Sequence, residues 1–219
     1  MIDFAAARRM MVDCQVRPMD VTDLRVLEAM LAVPRERFVA PERAALAYAD
    51  LDLPVDNDGS RRMLKPMVLA KLVQAVGIEG QDRVLDVGCC GGYSAAVLAR
   101  LAGSVVALEQ DENLGALART ALAGVGAANV SVVNGPLTGG WPQAAPYDAI
   151  VLEGATEVPP ETLCRQLKDG GRLVCVLGRS PAGKAMVYRR VGDDVSGWPV
   201  FDAAAPLLPG FARKPEFVF

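Results

Sequence analysis

The chain has 219 residues, 52% of them hydrophobic, with 23 basic and 26 acidic side chains and a net charge of −3. That length and apolar content suit one α/β domain with a sizeable core, and a mildly acidic balance, with no basic run longer than a pair such as Arg8-Arg9 or Arg61-Arg62, argues against a nucleic-acid partner. Five cysteines without a CxxC pair argue against a disulfide framework or structural zinc, and the lack of histidine removes imidazole as base, nucleophile or metal ligand, so no metal is expected.

Residues 1–80 read as a helical cover, with helical periodicity over Val21–Leu31 and Pro66–Val76 and a long irregular loop over Leu51–Lys65, rich in Asp, Asn, Gly and Pro. No apolar run approaches the roughly 18 residues of a membrane span, and the first nine residues lack the apolar core of a signal peptide. A cytoplasmic chain without a membrane partner is expected. Residues 81–180 alternate short β-branched runs with amphipathic stretches: strand Val84–Val87, helix Gly92–Leu101, strand Val105–Glu109, helix Glu112–Ala123, strand Val130–Val133, strand Tyr147–Leu152 and a helix from Pro160 to Leu167. Gly170-Gly171 is expected to stop that last helix before a strand over Arg172–Leu177. Residues 181–219 add strand-like segments at Lys184–Arg190 and Lys214–Phe219. Repeated β-α-β units with strands apolar on both faces predict a single domain of the α/β class: a doubly wound, mainly parallel sheet beneath an N-terminal helical cover.

Ligands of such sheets sit beyond the carboxyl ends of the strands, where Asp86, Gly88-Cys89-Cys90-Gly91-Gly92 and Glu109-Gln110 fall. The loop does not have the G-x-G-x-x-G spacing that rests a pyrophosphate on a helix start, so a nicotinamide dinucleotide is disfavoured. An acid at the first strand end suits a cationic amino group and Glu109 suits a ribose diol; S-adenosylmethionine carries both. Cys89 and Cys90 read either as reactive thiols near a helix start or as small residues filling glycine-like space, the second being the plainer reading.

The chain resembles the protein-L-isoaspartate O-methyltransferase family, as a divergent member. The likeness rests on Val26-Leu27-Glu28-Ala29-Met30, Val33-Pro34-Arg35-Glu36-Arg37-Phe38-Val39, Ala47-Tyr48-Ala49-Asp50, the strand-loop-helix ending at Gly92-Tyr93, Gly140-Trp141-Pro142, Ala145-Pro146-Tyr147-Asp148-Ala149-Ile150 and Gln166 to Val174. It implies a Rossmann-like methyltransferase fold, S-adenosylmethionine as cofactor, and a protein or peptide carboxylate as substrate, the isoaspartyl residues of damaged proteins. It also implies that Asp86, Gly88 and Gly92 form the methionine end of the cofactor site and that Glu109 holds the ribose, with Cys89, Cys90 and Gln110 also at the cofactor, and that Gly135 and Pro136 lie where the family brings an acid to adenine. Four departures stand out. The family's Thr-Ile-Ser-Gln-Pro type segment is Arg62-Met63-Leu64-Lys65-Pro66, so both hydroxyls at the substrate and methyl donor are lost, at Arg62 and Leu64. The middle loop glycine is Cys90, and the adenine acid is missing at Gly135-Pro136-Leu137. Glu153 replaces a neutral or hydroxyl family residue at a strand end facing the site, where it either receives a cationic group or is solvated.

Methyl transfer from a sulfonium to a carboxylate needs no general base, because a carboxyl group is already ionised at neutral pH; a histidine-free chain can perform it by alignment and exclusion of water. Arg62, Met63, Leu64 and Lys65 form the expected substrate side, and the cations Arg61, Arg62 and Lys65 either receive an anionic acceptor or belong to a solvated loop. A second reading is kept beside the enzyme: a non-catalytic relative that binds the cofactor and serves as a binding or regulatory module.

Overall fold

Asp3 caps the first helix, α1 (Phe4–Met11), by accepting a hydrogen bond from the Ala6 amide at 3.0 Å. A computed structural model describes residues 2–56 and 58–213. Single helical turns lead from α1 to Asp23, which caps α2 (Leu24–Ala32) by accepting from the Arg25 amide at 2.9 Å. The Leu51–Lys65 stretch, expected to be irregular throughout, contains a small hairpin in which Leu53–Pro54 (β1) pairs antiparallel with Arg62–Met63 (β2). Its polar tip is organised by one side chain: Asp56 Oδ2 accepts from Ser60 Oγ and from the Arg61 amide, each at 2.8 Å. Helix α3 (Pro66–Val76) has the predicted bounds, since Pro66 fits a first helical turn and Gly77 ends it.

The strands β3 (Arg83–Val87), β4 (Ser104–Glu109), β5 (Val130–Asn134), β6 (Tyr147–Thr156), β7 (Leu167–Leu177), β8 (Lys184–Val191) and β9 (Asp194–Asp202) form one sheet in the order β5-β4-β3-β6-β7-β8-β9. The first five in that order run parallel and the last two antiparallel. Helices α4 (Tyr93–Leu98), α5 (Glu112–Gly124) and α6 (Glu161–Cys164) connect them. This is the doubly wound, mainly parallel sheet that the alternation predicts, with the reversal of winding at β3, beside which the loops of β3 and β4 separate from that of β6.

Three details differ from expectation. The helix after Pro160 ends at Cys164, and Gly170-Gly171 lies inside β7, where the left-handed Gly170 (φ 76°) carries an irregularity between the pairs Tyr147–Leu167 and Ala149–Arg172. Among the described residues the last strand is β9; Lys214–Phe219 lies outside them. Gly197 and Pro199 obscure β9 in the sequence, and it tolerates a proline because it is the sheet's edge. Along β6, the pairs Val151–Val174 and Ala155–Val176 enclose three residues against one on β7, so Leu152-Glu153-Gly154 bulges at the strand's carboxyl end.

The core has two parts. Val84, Val105, Ala107 and Val151 pack with the helical cover, whereas Leu85, Val87, Leu108 and Leu152 pack with α6 and the C-terminal Leu208 and Phe211. Because residues two apart share a sheet face, Asp86 and Glu109 extend the face beneath the cover.

Candidate functional site

At the end of β3 the chain turns sharply over β4, with the Gly88 and Cys89 amides both donating to the Leu108 carbonyl, at 2.8 and 3.2 Å. The turn needs left-handed backbone at Gly88 (φ 83°), Cys90 (φ 51°) and Gly92 (φ 93°), which costs glycine nothing and an ordinary side chain roughly 1–2 kcal/mol. Cys90 is therefore the strained member. Both thiols are buried and pushed well above the ordinary cysteine range, chiefly by that burial. They are space-filling side chains, not thiolates.

Asp86 is fully buried and its carboxyl is pushed up to about 7 by burial, against the opposing hydrogen bond of Ser94 and with the added repulsion of Glu109. Ser94 Oγ donates to Oδ2 at 2.7 Å, while Oδ1 has no partner. Glu153, carried inward by the β6 bulge, is also buried, is held well above the usual carboxylate range by burial and then by Asp86, and leaves Oε1 unpartnered. Arg35 lies fully buried nearby in the same charge network: Nε donates to the Ala47 carbonyl at 2.7 Å and Nη2 to the Leu64 carbonyl at 2.6 Å, with the guanidinium 4.5 Å from the centre of the Tyr93 ring. Arg35 Nη1 and the Tyr93 hydroxyl have no partner either. So many orphaned buried polar atoms are unusual in a finished core and mark a place where a polar ligand would find partners.

Glu109 is the opposite case. Its Oε1 accepts from the Gln110 and Asp111 amides at 2.8 and 3.1 Å, and its Oε2 from the Cys90 amide at 2.9 Å and from Arg61 Nη2 at 2.7 Å. The ion pair is almost wholly shielded from solvent.

The sequence profile of the Protein-L-isoaspartate(D-aspartate) O-methyltransferase family matches residues 8–199. This chain belongs to that family. A protein-L-isoaspartate O-methyltransferase of Methanoregula boonei is 42% identical over 185 residues, covering 84% of each chain, and one of Pelobacter propionicus is 40% identical over 188 residues, covering 85% of this chain and 83% of the relative. Among solved structures, one protein-L-isoaspartate O-methyltransferase superposes with TM-score 0.80 at 27% identity, covering 93% of this chain and 66% of the other, just under two thirds of its length. A Plasmodium falciparum structure in complex with S-adenosyl-L-homocysteine gives TM-score 0.78 at 15% identity, which speaks for the fold alone. Identities near 40% correct the expectation of a divergent member: the departures from the family pattern are local.

Those local departures take definite places. Leu64, in the family's serine slot, is wholly buried, and Met63 is nearly so; both belong to the core beneath the cover. Arg62 is exposed and donates to the Asp52 carbonyl at 3.2 Å, while the Lys65 amide donates to Asp52 Oδ1 at 2.9 Å. Arg61, read either as facing an anionic acceptor or as solvated, turns inward to Glu109. At the adenine end the Gly135 amide donates to the Glu109 carbonyl at 3.1 Å, Pro136 is exposed, and Trp141 lies against Gly135. Gln110 is exposed beside them. Glu153 is buried rather than solvated. Sequence reasoning missed Leu208: a Cβ built on Gly88 would lie 3.0 Å from its Cδ2 and 3.3 Å from Arg61 Nη2, and one built on Gly154 would lie 2.7 Å from Leu208 Cγ. No local pattern marks a leucine in a Pro-rich tail as a neighbour of a glycine turn 120 residues earlier in the chain.

The residues thus fit S-adenosylmethionine at one end and not the other. Asp86 and Glu153 offer free acceptors to an amino group, and the glycine turn provides the close backbone approach. The acceptors of Glu109 are already used. Among the described residues no group of His, Cys, Asp or Glu is arranged to hold a metal, and no helix is long and apolar enough to cross a membrane.

Proposed function

We propose that this single-domain chain is an S-adenosylmethionine-dependent carboxyl O-methyltransferase acting on the isoaspartyl residues of damaged proteins in the cytoplasm. Membership of the family supports the reaction class, and the observation that carries the site is Asp86 Oδ1, a buried acceptor without a partner at the carboxyl end of the strand where the sheet's winding reverses. In this reading Asp86, Gly88, Cys89, Cys90, Gly92 and Glu153 take the methionine end, Glu109 and Gln110 the ribose, and Gly135 and Pro136 the edge of adenine. Bound there, the cofactor supplies an electrophilic methyl group on a sulfonium.

The chain's own residues supply position and dryness. Asp86 and Glu153 are carboxyls whose protons are held by burial, so a cation entering beside them favours their ionised form, while an unaccompanied acceptor carboxylate is disfavoured there. Arg62, exposed on β2, is the cation in this reading that gives that acceptor a counter-charge. No side chain is needed as a general base, since the acceptor is already ionised. Incubation with a labelled methyl donor and an isoaspartyl peptide tests the assignment: a base-labile methyl ester that is absent with the normal aspartyl peptide is expected. Binding of S-adenosylhomocysteine without ester formation would instead favour the non-catalytic module.

A further inference from the structure

A carboxylate has about four lone-pair directions, and in Glu109 all four are taken, three by backbone amides and one by Arg61. The amides belong to the β3 turn and the start of α5, and so are part of the framework. Arg61 is not. It is delivered by the β1–β2 hairpin, whose tip is held by Asp56 and by Arg43 Nη1, which donates to the Pro54 and Asp56 carbonyls at 2.7 and 2.9 Å. Arg61 Nε is buried without a partner, so the guanidinium is held in place with one donor unsatisfied. Beside it stands Leu208, fixed by a strand-like exchange with β6 in which the Ala155 amide donates to the Pro206 carbonyl at 2.7 Å and the Leu208 amide to the Ala155 carbonyl at 2.9 Å. The two side chains meet over Gly88. A cleft of about 650 Å³, open to solvent, is bordered by Asp56, Ser60, Arg61, Glu109 and Asp111.

Resting on the cofactor reading above, we infer that Arg61 is a latch: it occupies the acceptor on Glu109 that a ribose hydroxyl would use, so the nucleoside enters only when the β1–β2 hairpin withdraws the guanidinium. The framework amides stay on Glu109 in both states and keep the carboxylate aimed. The pair is shielded from solvent, so salt screens it little. The displaced arginine returns to the mouth of the cleft with its unsatisfied Nε freed to water, which offsets part of the cost of breaking the pair. A closed latch lowers apparent affinity by the fraction of molecules that are open.

Calorimetric titration of the full chain with S-adenosylhomocysteine, wild type against Arg61→Ala, tests the latch. With about one molecule in ten open, removal of the guanidinium tightens binding roughly tenfold. Asp56→Ala, which loosens the hairpin tip without touching Glu109, shifts affinity in the same direction and serves if Arg61→Ala does not fold. In the wild type, backbone amides of residues 53–63 exchange hydrogen faster on saturation, because the hairpin leaves its seat. Equal or weaker binding by the Arg61 variant, with the wild type binding measurably, overturns the latch and leaves the cofactor reading intact; weaker binding would make Arg61 a ligand. Failure of both to bind overturns the latch and the cofactor reading together.

Discussion

Asp86→Asn separates the cost of a buried carboxylate from its use. With its ordinary value at 3.8 and its folded value pushed up to about 7, Asp86 holds its proton more tightly in the folded chain than in the unfolded one. The sign follows from that direction: the contribution is full below about pH 4 and is lost as pH rises through about 7. A difference of about 3 pH units corresponds to about 4 kcal/mol if Asp86 bore all of it; Glu109 and Glu153 share the field, so about 1–2 kcal/mol is the expected yield. Asparagine keeps the shape, and its carbonyl oxygen still accepts from Ser94 Oγ. Thermal unfolding at pH 5 and pH 8 is the assay: Asp86→Asn should be the more stable protein at pH 8, by about 2–4 °C in Tm for each kcal/mol, and the advantage should shrink towards pH 5. Cofactor binding should fall in the same variant, the trade between stability and function expected of a strained site. A pH-independent difference, or a variant less stable than wild type at pH 8, would refute the claim that Asp86 is a buried, unmatched charge.

Arg35→Lys should destabilise by about 3 kcal/mol, because one ammonium cannot replace the fork that reaches the Ala47 and Leu64 carbonyls while lying on Tyr93; chemical denaturation measures it. Gly91→Ala places a Cβ 2.6 Å from the Phe38 carbonyl oxygen, and a loss of about 1–3 kcal/mol is expected from overpacking, read from the same curves. In the native protein a thiol reagent at pH 8 should modify Cys14, the one exposed cysteine, and spare Cys89, Cys90, Cys164 and Cys175 until the chain unfolds; rapid modification of Cys90 would show that the turn opens.

The repeating β-α-β pattern, the acids at two strand ends and the glycine turn could be read directly, because alternation and punctuation are local properties. Helix α3 was legible at both ends for the same reason, through Pro66 and Gly77. Strand β9 was not: Gly197 and Pro199 break its pattern, and only its position at the sheet edge makes them acceptable. Glu153 belonged to the site in the sequence, yet the bulge that buries it arises from the mismatch of β6 against β7, a property of two strands together. Charge type alone also did not pair Arg61 with Glu109. Composition and motif determined the class of fold, the absence of imidazole chemistry and the pair of acids, since each depends on which residue follows which. Tertiary structure decided that Leu64 is core, that Leu208 covers Gly88, and that Glu109 spends its last acceptor on Arg61. Those are encounters between segments far apart in the chain, and no local pattern encodes which of several arginines reaches a buried carboxylate first.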